Sequence, residues 1–214
     1  MTPDIDMSTL ELFDLAPSPN NVKVRLALGF KNIPYERVPV APNDRAKVVE
    51  VTGQPLTPAI RHGAVRLFDS AAILRYLEAN FPDTPRLFST DYAEMQQIER
   101  WELRGRTEIA PCIGRVFGQF FAPSVDAKEC EAASAALHAA TRSIEERLAD
   151  SKYLVRDSVS AADVSIAPFV WYGMLAGGSF EPKSIQAFFA EHLHLGEGRE
   201  RTRTWARSLM AFDR

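Results

Sequence analysis

The first apolar run, "LELFDL" (10–15), is dense enough in buried-type side chains to predict a short strand. "NNVKVRLALGFK" (20–31) follows with helical spacing: Val22, Leu26 and Gly29-Phe30 fall at i, i+4 and i+7/8, on one face. "YERVPV" (35–40) alternates as a strand does, and Pro39 suits an edge or a bulge. "PNDRAKVVEVTG" (42–53) reads as a short helix with Gly53 placed for its C-cap. "PAIRHG" and "VRLFD" (58–69) predict two strands joined at His62-Gly63-Ala64, a hairpin-sized link. "SAAILRYLEANF" (70–81) is a helix, with Ile73, Leu77 and Phe81 at four-residue spacing and Pro82 as its stop. The order is β-α-β-α-β-β-α.

From Asp91 onward the patterns are helical throughout: 91–121, 125–149, 160–176, 184–194 and 200–212. The stretch "FPDTPRLFSTD" (81–91), rich in Pro, Ser, Thr and Asp, separates the two textures. The chain therefore divides into an α/β domain at 8–83 and an all-α helical bundle at 90–214. Phe117, Phe120 and Phe121 are expected in the core of the bundle, and Trp205, Leu209 and Phe212 form a packing face at i, i+4 and i+7.

Composition narrows the function classes. The 214 residues are 46% hydrophobic and 25% charged, a soluble globular balance, long enough for two small domains. A net charge of −3 gives no electrostatic reason to expect nucleic acid or an anionic membrane as partner. Two cysteines, Cys112 and Cys130, are too few for a disulfide framework and match no zinc spacing, so no metal is expected. "MTPDIDMSTL" carries acidic residues and no apolar run, unlike a secretory signal, and no stretch approaches the ~18–20 apolar residues of a membrane span. The cytoplasm is the expected compartment.

Four local features carry the candidate chemistry. Ser18-Pro19 is a good helix start, Ser as N-cap and Pro in the first turn. Thr57-Pro58 stands just before a strand, and X-Pro is the one peptide type with an appreciable cis population. Asp69-Ser70 closes a strand and opens a helix; Ser70 is an N-cap candidate, and such a terminus suits an anionic ligand. "SVSAADVSIAPFVWY" holds a capping box, Ser160 with Asp163, flanked by Val159 and Val164 as a hydrophobic staple. This last motif concerns folding.

Taken in order, "SPNNVKVRLAL", "GQPLTPAI", "FDSAAILRYLEANFP" and "SVSAADVSIAPFVWY" resemble the cytosolic glutathione transferases over nearly the whole chain. The resemblance implies a thioredoxin-like N-terminal domain (βαβαββα) followed by the helical bundle, with glutathione as co-substrate. Thr57, ahead of a cis Pro58, would present its backbone to the cysteinyl part of the peptide. Asp69 would face the γ-glutamyl ammonium and Ser70 the α-carboxylate; Gln54 lies near the peptide by position. The glycyl carboxylate would meet Arg37, Arg45 or Lys47. Ser18 aligns with the activating serine of theta-like and zeta-like members, while Asn20 and Asn21 depart from that pattern and are alternative amide donors to sulfur. With both cysteines in the second domain, the thiol–disulfide chemistry of omega-like members lacks its residue.

The first long helix of the second domain would face the sulfur. Arg104, Glu108, Pro111 and Arg115, spaced at 4, 3 and 4 residues, read as an electrophile-pocket edge or as a salt-bridged stripe, with Pro111 bending the helix. The implied activity is attack by a bound thiolate on a small hydrophobic electrophile; the alternative is a binding or regulatory protein of the same fold with little turnover. A twofold homodimer, first domain against the partner's helical domain, completes what the resemblance implies.

Overall fold

The computed structural model describes residues 9–214. The reading of the first eight residues, including residue 8 as a domain start, lies outside them. The chain forms two compact units: residues up to Phe88 together with Phe212–Arg214, and Ser89–Ala211. Phe212 was expected to extend the packing face of the last helix. Instead it belongs with the first unit, because the helix ends at Met210 and the chain leaves it.

In the first unit the described strands are β1 (Leu10–Asp14), β2 (Tyr35–Pro39), β3 (Ala59–His62) and β4 (Val65–Phe68). They lie in the order β2-β1-β3-β4, β1 parallel to β2 and antiparallel to β3, with β3–β4 a hairpin through Gly63. β2 is an edge strand, which tolerates Pro39 at its last position. In β1 the register sets Phe13 beside Ala59 and Leu12 beside Ile60, so neighbouring pairs point to opposite faces and all four are buried. Phe13 and Ala59 pack with Val38, Val40 and Val48, the last from α2 (Ala46–Thr52), which ends in a left-handed Gly53.

Helices α1 (Pro19–Lys31) and α3 (Ser70–Asn80) pack on each other. Between them the fully buried Lys31 ammonium meets Glu78 Oε2 at 2.9 Å and the Pro85 carbonyl at 3.0 Å. Burial would raise the Glu78 pKa, but the Leu87 amide and the Lys31 and Arg86 cations outweigh it and hold it below the ordinary carboxylate value. At the end of α1, a Cβ on Gly29 would stand 1.9 Å from the Phe212 carbonyl oxygen. Gly29→Ala gains up to about 1 kcal/mol of helix propensity but meets rigid backbone, an overpacking cost of about 1–3 kcal/mol. The expected outcome is net destabilisation, read as a lower denaturant midpoint; a stabilised variant would contradict the close approach.

The second unit contains α4 (Tyr92–Arg104), α5 (Ala110–Phe120), α6 (Ala127–Arg147), α7 (Ala161–Tyr172), α8 (Ile185–His192) and α9 (Glu200–Met210). The expected single helix over 91–121 is broken into α4 and α5 by a π-helical turn at Gly105–Ile109, just ahead of Pro111. Pro111 supplies no N–H to the preceding turn, and a widened turn absorbs the missing bond. α7 is buried on nearly every side, and its capping box forms as the sequence predicts. The core assignment of the phenylalanines is corrected: Phe117 and Phe121 are 47% and 67% exposed, stacked edge-to-face with each other, with Phe120 linking Phe121 to Phe188. Their ring-to-ring contacts satisfy the aromatic geometry without burial in the bundle.

Candidate functional site

The first turns of α1 carry most of the site. Ser18 is the residue before the helix, in extended conformation with Pro19 following it, and its side chain makes no capping bond. The residue is half-buried, at a helix N-terminus whose dipole favours negative charge. Cys112 and Cys130 are elsewhere, buried in the helical unit; burial pushes both thiols up, and neither is poised as a thiolate.

Asn21 is fully buried and spans two loops: its Oδ1 accepts from the Leu15 amide at 3.1 Å, and its Nδ2 donates to Thr57 Oγ1 at 3.1 Å. Arg45 Nη1 also reaches Thr57 Oγ1, at 3.4 Å. The Thr57-Pro58 peptide is cis. Asn21→Ala removes the partner of the half-buried Leu15 amide and one of the two donors to Thr57 Oγ1, two bonds together worth about 1–3 kcal/mol of stability; a denaturation midpoint equal to the parent's would contradict the assignment.

Asp69 and Ser70 stand at the start of α3. Asp69, not Ser70, is the cap: its Oδ1 accepts from the Ala71 and Ala72 amides at 3.0 Å. Ser70 is the first residue inside the helix, so its hydroxyl is left for other partners. Asp69 sits at φ 73°, a left-handed backbone costing a non-glycine residue about 1–3 kcal/mol, which the two capping bonds help to offset. The buried Ser70 Oγ accepts from Lys23 Nζ at 3.1 Å and donates to Asn20 Oδ1 at 3.4 Å.

Asn20 and Lys23 thus tie α1 to Ser70, and Asn21 ties it to Thr57. Sequence reasoning missed Lys23. The available signal was a cation near a helix N-terminus, where the dipole disfavours it.

The other named residues are placed as follows. Gln54 folds its own turn, Nε2 donating to Thr52 Oγ1 and the Leu56 carbonyl while Oε1 accepts from the Leu56 amide. Arg37 is held by Asp14, which leaves Arg45 as the one of the three candidate cations bonded to Thr57. In the helical unit Arg104 pairs with Glu108 at 2.9 Å and donates to Ser143 of α6, and Arg115 pairs with Glu129 of α6 at 2.6 Å. The π-turn falls between the two arginines, and both guanidinium groups are engaged with α6 rather than forming one free stripe. Among the described residues no cluster of His, Cys, Asp or Glu could hold a metal, and no helix is long and apolar enough to cross a membrane.

The family model for the glutathione S-transferase N-terminal domain matches residues 12–85, and that for the C-terminal domain matches residues 108–193. The chain belongs to the glutathione S-transferase family. Among its relatives, a glutathione S-transferase of Hyoscyamus muticus is 29% identical over 175 residues, covering 77% of this chain and 82% of that one. Elongation factor 1-gamma 1 of Oryza sativa subsp. japonica is 30% identical over 165 residues, 74% of this chain but 36% of that protein. This chain therefore spans only about a third of that relative. Human glutathione transferase theta-2, solved as a complex with glutathione and an unknown ligand, shares the fold with a TM-score of 0.76 at 20% identity, over 96% of this chain and 82% of that one.

Proposed function

We propose that the protein binds glutathione at the N-terminal unit and activates its thiol for attack on a small hydrophobic electrophile. The observation that carries this reading is the half-buried Ser18, its hydroxyl uncommitted to a cap, on a helix start fastened to Thr57 and Ser70. A free thiol has a pKa of ~8.5 and is mostly protonated at neutral pH. A hydroxyl donating to sulfur at a helix N-terminus favours the thiolate and lowers that value.

The remaining roles follow from charge. Thr57 offers its backbone to the cysteinyl residue by strand-like pairing. The Asp69 carboxylate faces the γ-glutamyl ammonium. Ser70 and the Lys23 cation face the α-carboxylate, and Arg45 is the nearest cation to Thr57 for the glycyl end. Asn21 holds the loops in place, and Asn20 orients Ser70. Two copies form a twofold homodimer in this reading, and light scattering at twice the chain mass would support it.

The test is a calorimetric glutathione titration beside an assay panel of aryl halides, epoxides, organic peroxides and β-aryl ethers. Saturable binding with turnover on one class supports the proposal, and absence of binding would overturn it. The similarity to an elongation factor favours a second reading, glutathione binding without turnover. Saturation with no product across the panel would select it.

A further inference from the structure

Arg25 lies on α1, 4% exposed, and all five of its guanidinium N–H groups have acceptors. Nε and Nη2 hold the two oxygens of Asp213 at 2.6 and 2.9 Å. Nη1 holds Asp14 Oδ1 at 2.7 Å, and Nη1 and Nη2 converge on the Ala16 carbonyl at 3.4 and 3.3 Å. Asp14 ends β1 and Ala16 stands two residues before Ser18, so one buried cation fastens the start and the middle of the segment that delivers Ser18 to its helix.

The segment is open on one side. A cleft of about 340 Å³, walled by Pro17, Arg37, Pro39, Val40 and Pro42, lies along residues 14–17, so packing does not fix the loop on that side. Its other ties include Arg37 on the second Asp14 oxygen, the Val40 amide on the Asp14 carbonyl at 2.9 Å, the Ser18 amide to the Leu15 carbonyl and the Leu15 amide to Asn21.

Residues 212–214 are, by contrast, seated at several points. Phe212 meets Phe30 edge-to-face at 5.5 Å, its carbonyl rests on the bare Cα of Gly29, and Tyr35 Oη donates to the Arg214 carbonyl. These contacts hold the Asp213 carboxylate against Arg25.

We propose that Asp213 acts through Arg25 as a positioning residue for the Ser18 loop, so that residues 212–214 help set how strongly the bound thiol is ionised. This rests on the Ser18 reading above. In Asp213→Asn one carboxylate oxygen becomes an amide N–H, so one buried guanidinium N–H loses its acceptor and faces a donor instead, and the guanidinium that reaches the Ala16 carbonyl is no longer held firmly on that side.

The experiment uses the full chain with Asp213→Asn, alone and combined with Ser18→Ala. Hydrogen exchange at the Leu15 and Ser18 amides should quicken roughly tenfold, because the opening there becomes easier. Turnover should fall about 3–10-fold with the KM for glutathione within about twofold, and the bound thiol pKa should rise. In the Ser18→Ala background Asp213→Asn should lower kcat no further, since both act on one interaction. Unchanged exchange and kcat in Asp213→Asn would overturn the inference and leave the Ser18 reading intact. An equal kcat loss in both backgrounds would also overturn it, reducing Asp213 to general stability. Full turnover in Ser18→Ala alone would defeat the Ser18 reading, and the inference with it.

Discussion

Asp163→Ala should lower the stability of the protein by about 3–5 kcal/mol, more than any other single substitution considered. A capping residue alone accounts for about 0.5–2 kcal/mol. Asp163 does more than cap. It is fully buried, and its Oδ2 accepts from the Ser160 amide at 2.9 Å and hydroxyl at 2.6 Å. Its Oδ1 accepts from the Leu154 amide at 3.0 Å and from Trp205 Nε1 at 2.9 Å, so it joins the start of α7, the loop before it, and α9. Alanine leaves these buried donors unpaired and opens a cavity among them. Denaturant unfolding followed by fluorescence checks the size of the loss, and the glutathione affinity of the folded fraction should stay within about twofold, because Asp163 bonds to Leu154, Ser160 and Trp205 and to none of the residues proposed to bind glutathione. A midpoint shift worth less than about 1 kcal/mol would show that the network contributes only its cap.

Ser18→Ala should lower turnover by about one to two powers of ten, equal to roughly 1.4–2.7 kcal/mol of transition-state stabilisation. The loss should belong to chemistry rather than binding, since in the proposed function Thr57, Asp69, Ser70 and Lys23 hold the peptide elsewhere. Stability should hardly change, because the hydroxyl makes no capping bond that alanine could forfeit. Asn20→Ala is the control. If Asn20→Ala loses turnover and Ser18→Ala keeps it, the amide is the thiol's donor and Ser18 is a helix boundary only.

Much of this was legible because it is local. Apolar spacing marked β1 and α1, the Ser160–Asp163 pair announced its own box, and Gly53 terminated α2 where a left-handed residue was needed. The order Ser18, Thr57-Pro58, Asp69-Ser70 pointed to the family because each motif sits at a strand–helix or loop–strand junction that the periodicity already defined.

What the sequence concealed is non-local or against the rule. Asp69 takes the cap in a left-handed conformation that non-glycine residues rarely adopt, displacing Ser70 by one position. The π-turn before Pro111 shifts the register on which the Arg104–Arg115 stripe was drawn. Phe121 is an exposed aromatic that composition assigns to a core. The Arg25–Asp213 pair joins residues 188 apart, which no window of the sequence can reveal.

The central claim, that Ser18 and its helix terminus ionise a bound glutathione thiol, is tested most directly by titrating the ultraviolet thiolate absorbance of the saturated complex against pH. The account predicts a bound thiol pKa at least about one unit below the free value of ~8.5, moving back toward it in Ser18→Ala. A saturated complex whose thiol titrates at the free value, with or without the Ser18 hydroxyl, would contradict it.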